Sequence, residues 1–381
     1  MGAKRERRLG LYLHVPFCRS KCLYCDFCSV PHPKPEDMAR YVDRLCEDLI
    51  TRAKDCKAHE VDTVYLGGGT PTVLSTAQLE RILHTVRAHY RVHTDAEITV
   101  ECNPVTSERL DFLALRDAGC NRLSIGLQSA HEGELRALGR RHSFDGFCRT
   151  VLDAREAGFE NISADVMFGI PGQTEESFLQ TLDAMCALPL THISAYGLTV
   201  EEGTPFDTLR ERGKLVLPDE EETRSMYFSA VGALAAKGFA QYEISNFCKN
   251  GYQSRHNLKY WRCEEYLGFG PAAYSDFLGC RFGNSRDLAA YLEGRDITAE
   301  REYPDAEERE NEYVMLGMRL CEGVSAAAFE ERFGKDFESG FGARLARYCE
   351  GGFVERRGDG YAFSTEGMYV SNAILSEVLE F

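Results

Sequence analysis

YLHVPFCRSKCLYCDF, residues 12–27, is the stretch on which the reading of this chain turns. It carries Cys18, Cys22 and Cys25, with three residues between the first pair and two between the second. Three thiolates on one short loop can hold three irons of a cubane [4Fe–4S] cluster and leave the fourth iron open to a ligand that is not protein. A zinc site would ask for four ligands in two separated pairs, and no second CxxC-type pair completes one farther down the chain. A thioredoxin-like redox motif would use two cysteines. His14, Pro16, Phe17, Tyr24 and Phe27 around the cysteines argue against chance clustering in a chain that has 15 of them.

The CxxxCxxC spacing, with Tyr24 just before its last cysteine, resembles the signature of the radical S-adenosylmethionine (SAM) enzymes. Longer stretches narrow the resemblance to the group containing the oxygen-independent coproporphyrinogen III oxidase, HemN, and the related heme chaperone, HemW. They are GGGTP at Gly67 to Pro71, ECNP at Glu101 to Pro104, RLSIGLQS at Arg122 to Ser129 and FGIPGQT at Phe168 to Thr174. QYEISNF at Gln241 to Phe247, SRHNLKYW at Ser254 to Trp261 and YLGFGPAAYS at Tyr266 to Ser275 extend the resemblance over nearly the whole chain.

Composition sets the outer bounds. A length of 381 residues allows one large domain and a small one. A formal net charge of −16 disfavours nucleic acid or an anionic membrane as the main partner. No apolar run reaches membrane-spanning length, and MGAKRERRLG at the start lacks the apolar core of a secretory signal, so it reads as a solvated tail. An odd cysteine count fits poorly with a disulfide scaffold, which points to a reducing cytoplasm. Cys102, Cys120, Cys148 and Cys186 stand in apolar or helical contexts and read as small buried hydrophobes.

From Leu9 to Val15 apolar residues alternate with Gly10, Tyr12 and His14, which predicts a strand running straight into the cysteine loop. Further strands are expected at Val61 to Leu66, Glu97 to Glu101, Arg122 to Gly126, Asn161 to Met167 and His192 to Tyr196. Helices are expected near Glu36 to Lys54, Thr76 to His89, Thr106 to Asp117, Phe144 to Ala157, Glu175 to Ala187 and Pro218 to Lys237. Six alternating units predict right-handed βαβ crossovers and an α/β fold, a partial (β/α)6 TIM-like barrel of the radical SAM kind. Residues 1–238 would form this core, and 239–300 an extension too rich in turns for another simple repeat. Residues 301–381 would form a C-terminal module, helical from about Arg301, with a hairpin at Phe353 to Phe363 and a last helix after Ser364. Two helices and a hairpin suggest a winged-helix-like module. Its nine Lys and Arg against seventeen Asp and Glu favour a lid or partner-docking role over nucleic acid.

In such barrels chemistry sits at the carboxyl ends of the strands. Gly67 to Thr70 follow the second strand, Glu101 ends the third, Gln128 follows the fourth and Asp165 lies in the fifth. The three glycines permit a backbone path that a Cβ would block, and no GK[ST] follows to make a phosphate loop. The resemblance implies that Cys18, Cys22 and Cys25 ligate the cluster, and that Tyr12, Tyr24, Gly68, Gly69, Thr70, Glu101, Gln128, Arg140 and Asp165 contact SAM. It also implies a heme ligand at His256, in HNxxY with Asn257 and Tyr260, although a lone His is more often a hydrogen-bonded structural residue.

Three functions stay open within the resemblance. A heme-binding chaperone would carry the cluster, SAM and heme and deliver heme to target proteins, with an electron donor as a further partner. The oxygen-independent oxidase would instead decarboxylate the propionates of a porphyrinogen. A heme-degrading radical SAM methyltransferase also bears HNxxY. The oxidase motif continues as CxxxCxxCxC, but position 27 here is Phe27, and only about eight residues precede Leu9 where the oxidase has a longer segment. Both features point to the chaperone. Cys28 lies one residue past the oxidase position and reads as a bystander, and Tyr274 stands where the group commonly has His.

Overall fold

The alternation of Leu9 to Val15 becomes strand β1 (Arg7–Val15), whose Leu9, Leu11, Leu13 and Val15 are fully buried. The computed structural model describes residues 7–107 and 109–379; the expected solvated tail, residues 1–6, lies outside the described residues. Five more strands follow as the alternating pattern predicts: β2 (His59–Gly68), β3 (Val92–Cys102), β4 (Arg122–Gln128), β5 (Asn161–Phe168) and β6 (His192–Gly197). Each pairs in parallel with its predecessor.

The extension completes the sheet rather than capping it. Strands β7 (Ala240–Gln241) and β8 (Asn246–Cys248) join antiparallel beside β6. On the other side β9 (Tyr266–Phe269) runs parallel to β1, followed by antiparallel β10 (Tyr274–Phe277), β11 (Cys280–Asn284) and β12 (Thr298–Glu302). The order is β12-β11-β10-β9-β1-β2-β3-β4-β5-β6-β8-β7, twelve strands with two free ends.

One face of this sheet is apolar and the other polar, which is the property that positions the site. Val64, Leu66, Ile98, Val100, Leu123, Ile125, Ile162 and Val166 are at most 2% exposed and pack under helices. These are α1 (Pro35–Arg52), α2 (Thr76–His89), α3 (Phe112–Asp117), α4 (Phe144–Glu156), α5 (Glu175–Cys186) and α6 (Glu220–Ala236). Capping boxes start α2 at Ser75 with Gln78, α5 at Thr174 with Ser177 and α6 at Asp219 with Glu222. The alternate residues Thr63, Tyr65, Thr99, Glu101, Arg122, Ser124, Asp165 and Ser194 share the opposite face, because successive side chains on a strand point to opposite sides. A short helix, α7 (Arg255–Trp261), lies against this polar face: the Glu97 carboxylate accepts the backbone N–H groups of Arg255 and His256, each at 3.0 Å.

Three expectations change. The helix expected from Thr106 to Asp117 is broken, one turn at Pro104–Ser107 and then α3, because Asp111 caps a new start by accepting the Ala114 N–H. The segment after Arg301 is not helical from its beginning, since β12 runs through Glu302 and Asp305 caps the helix Ala306–Gly317. The last helix is two, Thr365–Tyr369 and Ser371–Val378.

The C-terminal residues have their own apolar cluster, including Val314, Met318, Phe329, Phe337, Leu345, Phe363 and Leu375. Helices Ala306–Gly317, Ala326–Phe333 and Ala343–Glu350 accompany a small sheet of β13 (Val324–Ser325, between the first two), β14 (Val354–Arg357) and β15 (Gly360–Phe363), with β15 in the middle. This unit docks through a backbone bridge between Glu243 and Leu320, the Cys321 N–H on the Tyr242 carbonyl at 2.9 Å, and the Tyr369 ring 5.3 Å from that of Tyr227. Among the described residues no helix is long and apolar enough to cross a membrane.

The β1–β2 ladder continues past both strands: the Gly69 N–H reaches the Val15 carbonyl at 2.9 Å and the Thr70 N–H the Phe17 carbonyl at 2.7 Å. A Cβ on Gly69 would sit 2.6 Å from the Phe17 carbonyl oxygen and 2.9 Å from the Phe17 nitrogen, both backbone atoms that cannot swing aside. Gly69→Ala should therefore lower unfolding free energy by about 1–3 kcal/mol, measured by urea denaturation, and displace the cysteine loop. A variant as stable as the parent would mean the two strands separate more easily than this ladder implies.

Candidate functional site at the carboxyl ends of the strands

The cysteine loop is held from both sides by backbone bonds to Leu23. Its N–H donates to the Leu138 carbonyl at 3.0 Å, and its carbonyl accepts the Phe206 N–H at 3.0 Å. Its side chain and that of Tyr24 pack on a small cluster of Leu138, Met167, Ile170 and Phe206. On the other flank the Val30 N–H bonds the Pro16 carbonyl, and the His14 ring nitrogen Nε2 lies 2.8 Å from the Cys28 carbonyl. An otherwise irregular loop is thus fixed at Leu23 and Cys28, with Cys22 next to the first point and Cys25 between the two.

Cys18, Cys22 and Cys25 all open on one cavity of about 690 Å³. Burial pushes the Cys25 thiol up, and the like-charged thiolates of Cys22 and Cys18 add to the rise. A cationic centre between them is what would favour losing those protons. Among the described residues no group of three or more His, Cys, Asp or Glu is gathered tightly enough for a single metal ion. The Thr70 hydroxyl lies 3.5 Å from the Cys18 Sγ.

The remaining wall brings together most of the residues named from the sequence: Tyr24, Gly68, Gly69, Thr70, Glu101, Gln128, Arg140 and Asp165. Glu101 accepts the Tyr65 hydroxyl on Oε1 at 2.9 Å and the Gly68 N–H on Oε2 at 3.1 Å. Burial raises its carboxyl to about 7, and the nearby Asp165 works in the same direction against those two hydrogen bonds. Asp165 is also raised by burial, offset by Ser194, Arg122 and Ser124. Gln128 sits at a bulge with φ +74°, a left-handed conformation that a non-glycine residue holds only under constraint. The constraint includes the Tyr196 hydroxyl, which donates to the Gln128 Oε1 at 2.9 Å. Arg140 borders Gly126 and Tyr24.

Two expected residues do not reach the cavity. Tyr12 turns its hydroxyl to the His14 Nδ1 at 3.0 Å and lies tilted against Tyr65. His256 is 1% exposed, with Nδ1 2.8 Å from the Thr63 hydroxyl and Nε2 2.9 Å from the Tyr260 hydroxyl. Both ring nitrogens are thus engaged with hydroxyls in the core, while its neighbour Asn257 lines the cavity. Cys28 points its thiol to the Arg286 carbonyl at 3.7 Å, and Tyr274 is 51% exposed; neither is on the wall.

The glycines also acquire a physical reason that sequence did not supply. Gly68 has φ +108°, and a Cβ there would meet the His14 ring at 2.6 Å, so close packing against β1 demands glycine before any ligand is considered. Sequence reasoning missed Arg122, which is 2% exposed, lines the cavity and leaves its Nε without a partner. Tyr65, Ser194 and Tyr196 were missed as well. Their signal was present in the alternation, since all stand on the same strand face as Glu101 or Asp165. The wall therefore sets Arg122 and Arg140 beside Glu101 and Asp165, with Lys21, Asp26 and Glu201 also lining the cavity, a pattern suited to a ligand bearing both signs of charge.

A family model described as the Radical SAM superfamily matches residues 12–185, and one described as the HemN C-terminal domain matches residues 305–370. The chain is 34% identical over 378 residues to the heme chaperone HemW of Bacillus subtilis, covering 97% of this chain and 98% of that one. It is 36% identical over 332 residues to the heme chaperone HemW of Escherichia coli, covering 84% and 85%. Among solved structures, coproporphyrinogen III oxidase (HemN) of Escherichia coli, a radical SAM enzyme, superposes with a TM-score of 0.83 at 22% identity, over 98% of this chain and 90% of that one. At that identity the likeness establishes the fold, a radical SAM barrel with a C-terminal helical domain.

Proposed function

This chain belongs to the family of the heme chaperone HemW, and from that membership we propose that it binds heme, with a [4Fe–4S] cluster and SAM, and passes the heme to other proteins. The observation that carries the reading is that the similarity runs through cysteine loop, barrel and C-terminal unit alike, over 97% of the chain. Phe27, where the oxidase motif has cysteine, supports chaperone over oxidase. Heme-accepting proteins and an electron donor are its expected partners. Fifteen cysteines, all unpaired, support a cytoplasmic setting.

In this reading Cys18, Cys22 and Cys25 each hold one iron, and the Thr70 hydroxyl is placed to donate to the Cys18 thiolate. When bound, the cluster supplies the electron that cleaves SAM in the superfamily's chemistry. The chain's own residues orient the ligand. Arg140 offers its guanidinium to the carboxylate, Glu101 takes the amine or sugar side, and Asp165 and Gln128 contribute acceptors along the same wall. Tyr24, Gly68 and Gly69 close the cavity beside the cysteines and limit water there.

Anaerobic reconstitution should load the cluster in the parent and in Cys28→Ala, and fail in Cys18→Ala, Cys22→Ala and Cys25→Ala, read by iron and sulfide content. The parent should bind heme, form little or no vinyl product from coproporphyrinogen and transfer heme to an apoprotein. Robust decarboxylation without heme binding would replace this reading with the oxidase.

The charge on Glu101 gives a second outcome. With its carboxyl at about 7 in the free protein, the ionised share rises through the neutral range, and the fixed positive charge of SAM's sulfonium favours the ionised form. SAM affinity should increase about tenfold from pH 6 to pH 8, measured by calorimetry on cluster-loaded protein, and Glu101→Gln should flatten that slope. A parent affinity independent of pH would remove Glu101 from the contact.

A further inference from the structure

The HNxxY residues form the floor beneath the wall just described. His256 stands on α7, whose first turn is pinned to the Glu97 carboxylate, and Lys259 on the same helix is 2% exposed and paired with Asp62 at 2.8 Å and Glu264 at 3.1 Å. The His256 ring is stacked on Tyr65 at 5.2 Å with planes 26° apart, and also on Tyr12 at 6.4 Å and 29°. A Cβ on Gly10 would come within 3.2 Å of the His256 Cε1, so β1 closes the remaining side. Tyr65 then reaches upward, and its hydroxyl is the donor to the Glu101 Oε1.

These contacts form a continuous stack from Thr63 and Tyr260, through His256 and Tyr65, to the carboxylate on the cavity wall. Each link leaves little freedom. The imidazole is fixed at both nitrogens, the phenol ring is fixed by stacking on it, and the phenol hydroxyl has one carboxylate oxygen to meet. We infer that His256 is a positioning residue for the SAM contact, setting the Tyr65 ring so that its hydroxyl holds Glu101 in place, and that HNxxY in this chain is a barrel floor and not a heme ligand. The inference rests on the reading that Glu101 contacts SAM.

The surroundings agree with that role. Burial lowers the imidazole to about 3, with Lys259 and Arg122 adding to it, so the ring stays neutral and can keep one donor and one acceptor. Glu101 is faced by the Tyr65 hydroxyl and Gly68 N–H from β2, Arg122 from β4, Asp165 from β5, Tyr12 from β1 and Tyr260 from α7. Of these, Tyr65 is the strongest influence holding the carboxyl down.

The test uses the full-length, cluster-loaded protein with SAM and with hemin, in Tyr65→Phe, His256→Phe and Glu101→Gln. Tyr65→Phe keeps the ring and removes the hydroxyl, and His256→Phe keeps the stack and removes both nitrogens. Both should weaken SAM binding about tenfold and move the midpoint of its pH dependence upward, a shift that a merely structural residue would not produce. The hemin Soret band and affinity should match the parent in both. A lost or shifted Soret band in His256→Phe, with SAM affinity and pH midpoint unchanged, would overturn the inference in favour of ligation. If Glu101→Gln loses affinity while neither aromatic variant does, the positioning role alone fails. If Glu101→Gln binds SAM with the parent's pH profile, the SAM contact and the inference fall together.

Discussion

The pairing of β1 with β2 is the constraint from which the site follows. Its ladder does not stop at the strand ends but runs on through Gly69 to Val15 and Thr70 to Phe17, which lays the cysteine loop directly on the glycine turn. Backbone hydrogen bonds of this kind leave little room for error, because a buried donor without its acceptor costs more than the bond itself contributes. Cys18 therefore arrives beside Thr70, and the rest of the loop is fixed at Leu23 and Cys28 by contacts far apart in sequence.

The polar face creates an electrostatic problem that the structure solves by balance. Glu101 and Asp165 both sit where burial disfavours their charged forms, and Arg122 offsets part of that cost for each. Arg122 and Arg140 stand against Glu101 and Asp165 on this buried face, where one unmatched charge would cost several kcal/mol. Hydroxyls from Tyr65, Ser124 and Tyr196 then fix individual oxygen atoms. The wall is rigid before any ligand arrives, so less ordering has to be done on binding.

The extension and the C-terminal unit act on this wall from behind and from the side. Helix α7 lies on the polar face, where it satisfies Glu97 and supports Tyr65. The C-terminal unit brings its own apolar core and joins the barrel through Leu320, Cys321 and Tyr369. Arg309 clasps Asp276 and Glu312 clasps Arg281, so β10 and β11 are tied to the helix Ala306–Gly317.

Much of this was legible in the sequence because it is local. Period-two alternation gave the first core strand and the repeat of strand and helix the other five within a few residues, and cysteine spacing on one loop requires no knowledge of distant contacts. Strand-end placement brought Glu101, Gln128 and Asp165 onto one wall, since parallel strands share a direction and their ends share a side. What failed was whatever depended on a partner far along the chain. The pairing of β9 with β1 joins residues 256 apart, and the surroundings of His256 were set by Thr63 together with Tyr260, while the break before α3 is a local exception made by the Asp111 cap. Sequence can say that an imidazole exists, but only tertiary structure decides whether its lone pair is spent inside the core or left for a ligand, because that depends on which hydroxyls the fold brings within hydrogen-bonding distance.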